Sequence, residues 1–208
     1  MKNKKKNKLV LIILSTLVIL TIVVIILSLT TKKDNQEQDV KEAKKVDVID
    51  KYGYYLEEDA TDYYKSLYKE LKDITNKDEV DYEEYAKIVA KLFVTDVFTL
   101  DNKVTSSDIG GLQFIYPDFR EDFIKINQTG LYSNILSNIY NDRVQELPIV
   151  NEVNIDLVKE TTFNYNNKEY KGYLVEVNIS YEKDLSYPTT YKLTIIKEDK
   201  YLYVAKGE

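Results

Sequence analysis

The chain has 208 residues, room for one domain of ordinary size beyond a targeting or anchoring segment. It carries 29 Lys and Arg against 35 Asp and Glu, with no Cys, His or Trp. Without Cys there are no disulfides, thiolate nucleophiles or thiolate metal sites, and without His no His-based triad. The acidic balance excludes binding nucleic acid by charge alone. Usage rich in Lys, Asn, Ile and Tyr is that of an AT-rich genome, such as those of low-GC Gram-positive bacteria.

Residues 1–8 form a basic tail holding Lys2, Lys4, Lys5, Lys6 and Lys8 and no acid. Leu9 to Leu29 is an apolar run of 21 residues without charge, Gly or Pro. As a helix rising about 1.5 Å per residue it covers about 30 Å, the thickness of bilayer hydrocarbon. The basic flank stays cytoplasmic, so the pattern predicts an uncleaved single-pass transmembrane helix over 9–30 with the bulk of the chain outside. The bilayer is the first expected partner. A cleaved signal peptide is the competing reading. Its apolar region runs about 7–15 residues and ends at a small-x-small site, which Leu27-Ser28-Leu29-Thr30-Thr31-Lys32-Lys33 does not offer.

A polar tether is predicted over 31–47, where mixed charge leaves almost nothing to bury. Residues 48–208 then make the extracytoplasmic domain. Within it, Val46 to Leu56 predicts a short opening strand around Gly53. The acidic trio Glu57-Glu58-Asp59 suits a helix N-terminus, and Tyr63, Tyr64, Leu67, Tyr68, Leu71 and Ile74 give an apolar stripe for a helix over 59–74. Asp81 and Glu84 have capping-box spacing before a second helix ending near Leu100. The tyrosines of both helices read as core residues whose hydroxyls reach the surface.

Asp101 to Gly111 predicts a loop punctuated by a double glycine. Its oxygen side chains lack the spacing of a calcium loop, so no metal is expected. After Leu112–Tyr116, Pro117 breaks the chain and Asp118 is expected to cap a short helix through Ile126. A further helical piece is predicted from Leu131 to Tyr140. The segment Tyr116-Pro117-Asp118-Phe119-Arg120-Glu121-Asp122 mixes aromatics with both charge signs and is the candidate functional loop. Its plainer reading is a helix start with a local Arg120 salt bridge.

From Val150 the period changes to two. Val153, Ile155 and Leu157 alternate with polar residues, as do Tyr173, Val175, Val177, Ile179 and Tyr181, and then Tyr191, Leu193 and Ile195. Short connections between them predict an antiparallel meander of about four strands, covered on one face by the helices. The fold class is therefore α+β.

Helices first, then a curved antiparallel meander behind one N-terminal anchor: over roughly 48–206 this order resembles the NTF2-like fold. It looks most like VirB8-type extracytoplasmic domains of conjugation and secretion machines. The resemblance rests on element order and transfers no site residue. It implies a non-enzymatic assembly domain that contacts other envelope proteins or itself. The alternative is an NTF2-like pocket for a small ligand, with Asp96 as general base and Tyr116 or Tyr132 as proton donor. No cofactor is expected. The candidate contact residues are Asp96, Tyr116, Asp118, Arg120 and Tyr132.

Overall fold

A computed structural model describes residues 44–208. The basic tail, the apolar run over 9–30 and the tether up to residue 43 lie outside the described residues. Among those described, no helix is long and apolar enough to cross a membrane.

The domain opens with a hairpin rather than a single strand. β1 (Lys45–Ile49) pairs antiparallel with β2 (Tyr54–Glu57), so pairing begins three residues before the expected domain start. Gly53 makes the turn at φ +73°, in the left-handed region that suits a residue without Cβ. The hairpin absorbs Glu57, which faces Lys45 in register, and the amide of Glu58 donates to the carbonyl of Lys44. The acidic trio therefore does not open the first helix. That helix, α1 (Asp62–Thr75), is capped by Thr61, whose hydroxyl accepts from the amide of Tyr64.

Helix α2 (Tyr82–Phe98) starts at Asp81, whose carboxylate accepts from the amides of Glu83 and Glu84. Glu84 turns forward to Lys87 at 2.7 Å. From Tyr85 onward nearly every residue of α2 is buried: Ala86, Val89, Ala90, Leu92, Phe93 and Val94 among them. Only the stripe of Glu83, Glu84, Lys87 and Lys91 keeps access to water, so the other faces need cover. α1 lies along one side of α2 and the sheet along another.

That sheet has four antiparallel strands in the order β3 (Val150–Tyr165), β4 (Lys168–Tyr181), β5 (Thr190–Glu198) and β6 (Tyr201–Gly207). Tight turns enforce the meander. Asn166 and Asn167, both at positive φ, join β3 to β4, and Asp199-Lys200 joins β5 to β6. Val153, Val175, Val177, Leu193, Ile195 and Leu202 are buried in one core with α2. The alternation in β3 breaks at a bulge between Ile155 and Leu157. The extra residue reverses parity, so Leu157 is 41% exposed and Val158 packs on the core instead.

The sheet's second face is also partly covered. Tyr170, Ile196 and Tyr203 alternate with core-facing neighbours, and they pack with Tyr116, Phe119, Phe163 and Tyr165. Tyr116 reaches them because its amide donates to the carbonyl of Val204 in β6. At β3, the Tyr63 hydroxyl accepts from the Val153 amide at 2.8 Å and donates to the Val153 carbonyl at 3.4 Å.

Two expectations between the helices and the sheet are corrected. Asp118 is not a helix cap: Pro117–Phe119 is a 3-10 turn, and α3 (Arg120–Thr129) follows it without a side-chain cap. Pro117 fixes its own φ and sets the turn one step early. No helix forms over 131–140. The Tyr132 amide donates back to the Asn127 carbonyl, and the chain continues as turns and irregular loop to residue 149. The four-residue spacing of its apolar residues is real, but they face two ways, Ile135 buried and Leu136 exposed.

Gly172 of β4 lies opposite Ile196 of β5, with no room for a side chain. A Cβ there would fall inside the van der Waals radius of the Ile195 carbonyl oxygen, which is backbone and cannot swing away. Gly172→Ala is expected to destabilise the domain by about 2–4 kcal/mol, read as a lowered denaturation midpoint with unchanged slope.

Candidate functional site

The last turn of α2 carries the one acid of that helix's buried half, Asp96, and the structure around it is shaped by that charge. Lys103, only 5% exposed, reaches back from the following loop to Asp96 Oδ1 at 2.7 Å. The Gly111 amide donates to Asp96 Oδ2 at 2.6 Å. Burial alone would depress the Lys103 ammonium. Asp96, with Tyr132 and Asp108 behind it, outweighs burial and holds the group above its ordinary range.

The double glycine is required by this geometry. A Cβ on Gly110 would overlap the Asp96 carbonyl, and one on Gly111 would stand 2.7 Å from Val97 Cγ2 and 2.9 Å from the Phe93 ring. Gly111 also sits at φ +78°. The loop lies flat on α2 because it has no side chain there. Asp108 closes its outer part, its carboxylate accepting from the Val104 amide at 3.0 Å.

Tyr132 completes the arrangement from the other side. Its hydroxyl donates to the Val97 carbonyl at 2.8 Å and accepts from the Gly110 amide at 3.1 Å. It satisfies one of the orphan carbonyls at the helix C-terminus. Burial, its largest influence, pushes this phenol above its usual range. The pair Gly110–Gly111 thus joins two of the sequence candidates, Tyr132 through one amide and Asp96 through the next.

Tyr116 is elsewhere. Its hydroxyl lies 2.9 Å from that of Tyr170, and this bond, then burial, raises it. Rings of Phe119, Tyr165, Tyr170 and Tyr203 surround it mostly edge-on. Asp118 and Arg120 are exposed on the rim of this aromatic cluster. Arg120 Nε donates to the Ile115 carbonyl at 3.4 Å, and no salt bridge to Arg120 forms among the described residues. The local ion pair expected there is replaced by a backbone contact.

Glu57 was not legible as a site residue. It ends β2 half-buried, and burial, then the Asp96 charge, raises its carboxyl to about 7, with Lys103 opposing. Its place in an acidic run suggested a helix start; only the hairpin register turns it toward the Asp96–Lys103 pair. The tyrosines also go deeper than expected. Tyr54 and Tyr85 join hydroxyls at 2.6 Å inside the core, and Tyr54 donates onward to the Leu202 carbonyl. Tyr64 shares its hydroxyl with Gln113 Nε2 at 3.0 Å, and Gln113 also pairs with both backbone groups of Tyr55.

Among the described residues, no group of three or more Asp and Glu is placed to hold a metal ion. Asp96 has both oxygens engaged and Tyr132 both donates and accepts, so the two act as internal fasteners. No family model, characterised protein or solved structure matches the chain.

Asp96→Ala leaves Lys103 buried without its counter-charge and is expected to cost about 3–5 kcal/mol. The double variant Asp96→Leu with Lys103→Met should recover more than half of that loss, measured by urea denaturation. Glu57 gives a pH signature. Its folded-state value lies above the ordinary 4.5, so the folded protein holds the proton more tightly. Its contribution is full below about pH 4.5 and is lost as pH rises through about 7. Glu57→Gln, which keeps the neutral form, should be more stable than the parent near pH 8 by about 1 kcal/mol, allowing for partial solvent access, and should match it near pH 4.

Proposed function

We propose that this chain is a membrane-anchored extracytoplasmic interaction domain of a bacterial cell envelope, acting by contact with other subunits and catalysing no reaction. In this reading residues 9–30 span the bilayer, the N-terminus is cytoplasmic and residues 48–208 stand outside. The α+β layering, helices against a four-strand meander, is compatible with an NTF2-like, VirB8-type module, and the assembly role follows from that likeness.

One observation carries the reading. The groups best suited to acid–base work, Asp96, Tyr132 and Tyr116, direct their hydrogen bonds into the domain's own backbone and side chains. Asp118 and Arg120 are exposed beside the ring cluster of Tyr116 and Phe119, Asp118 without an ion pair among the described residues and Arg120 with only its Nε turned to the Ile115 carbonyl. Exposed charges of both signs next to an aromatic cluster fit recognition of a partner's surface more than conversion of a substrate.

The test is photo-crosslinking in intact cells, with the reactive residue at Asp118 or at Arg120. Discrete adducts at these positions are expected, and none at the exposed position Thr189, which lies beside Ile179 at the other end of β4 from Tyr170. Recovery of the chain from the medium, or uniform absence of adducts, contradicts the proposal.

A further inference from the structure

The loop between α3 and β3 exposes apolar side chains that the core does not use. Leu136 is 60% exposed, Tyr140 85% and Val144 93%, with Ile139 beside them and Ile126 on α3. Burying a side chain of this kind is worth about 1.5–3 kcal/mol, so five exposed between residues 126 and 144 mark a segment that gains from being covered.

The loop is ordered by its own polar groups. Arg143 turns its guanidinium inward, donating to the carbonyls of Lys103 at 2.7 Å, Leu136 at 3.3 Å and Asp101. Gln145 accepts from the Leu136 amide at 2.8 Å and donates to the Asn134 carbonyl at 2.9 Å. The Asn138 amide donates to the Val104 carbonyl. Much of the backbone is thus paired internally and the charge of Arg143 is folded away, as a segment leaving water requires.

Its position in the domain follows from contacts already described. Tyr55 of the opening hairpin pairs with Gln113, the neighbouring Gly111 binds Asp96, Asp96 holds Lys103, and Lys103 carries Arg143 through its carbonyl. The loop therefore lies at the end of the domain where the described chain begins. Fourteen residues, 30–43, join that point to the apolar run. Fully extended they reach at most about 50 Å.

We infer that the exposed apolar side chains over 126–144 insert into the lipid–water interface of the bilayer that anchors the chain. This rests on the reading of residues 9–30 as a membrane anchor. Side chains standing this clear of their neighbours protrude, and a soft interface receives them without a preformed cavity. Tyr140 has the amphipathic ring that settles at headgroup depth. The tether makes docking intramolecular, so a modest insertion energy suffices. Charge gives no help: residues 32–208 carry a net charge of −11 and Asp142 sits in the loop, so the contact is apolar.

The chain contains no Trp, so one introduced Trp reports alone. Full-length Tyr140→Trp, Val144→Trp and, as the control, Thr162→Trp are reconstituted into phosphatidylcholine vesicles with and without brominated acyl chains. Emission at 140 and 144 is expected to shift to the blue and fall about twofold with bromine, while that at 162 is unchanged. Protein that floats with the vesicles yet stays unquenched at both loop positions overturns this inference and leaves the anchor intact. If that unquenched emission turns blue as protein density rises, a second copy covers the face and lipid does not. A chain that fails to float with vesicles overturns the anchor and this inference together.

Discussion

Everything in this domain is arranged around a helix that leaves only a narrow stripe, Glu83, Glu84, Lys87 and Lys91, to water. Apart from Lys87, Lys91 and the half-buried Asp96, α2 is buried from Tyr85 to Phe98 by α1, the sheet and the segments that follow it. Such a helix contributes a large apolar area, but it makes each polar group it carries costly. The structure answers the buried ones locally. Thr95 returns its hydroxyl to the Lys91 carbonyl, Tyr85 finds Tyr54, and Asp96 draws in Lys103 and Gly111. The path of the chain from residue 99 to 111 is in large part the solution to burying one carboxylate.

That view explains why a loop without regular secondary structure is so well fixed. The two glycines permit contact with α2, Lys103 supplies the counter-charge, and Tyr132 arrives from beyond α3 to close the helix end. A buried ion pair of this kind is weak evidence for net stability, since two apolar residues of equal volume often serve as well. Here it ties the loop after α2 back to the last turn of that helix.

The fold was readable where one period runs undisturbed. The stripe of α1, the cap and stripe of α2, and the alternation in β4 and β5 each follow from residue spacing, and tight turns fix their order. Reading failed where two signals competed. The acids at 57–59 resemble a helix start, but the hairpin pairing of Lys45 with Glu57 takes them first. The apolar spacing over 131–140 mimics a helix, but Tyr132 is pulled inward to the end of α2 and the remainder splits between core and surface. At the site, Asp96 and Tyr132 could be named from the sequence. Their shared contact through Gly110–Gly111 could not, because it depends on how closely a glycine loop lies on a helix. Glu57 and Lys103 were missed for the same reason, since partners far apart in sequence meet only through tertiary packing.

The phenol of Tyr63 over Val153 also bears on how the sheet ends. β3 is the outer margin of the sheet, and a margin of open amides and carbonyls invites growth by sideways addition. One helix side chain occupies both backbone groups of Val153, and acids at Glu152 and Asp156 flank it. At that point a neighbouring chain meets a closed seam, so high local density need not become polymerisation.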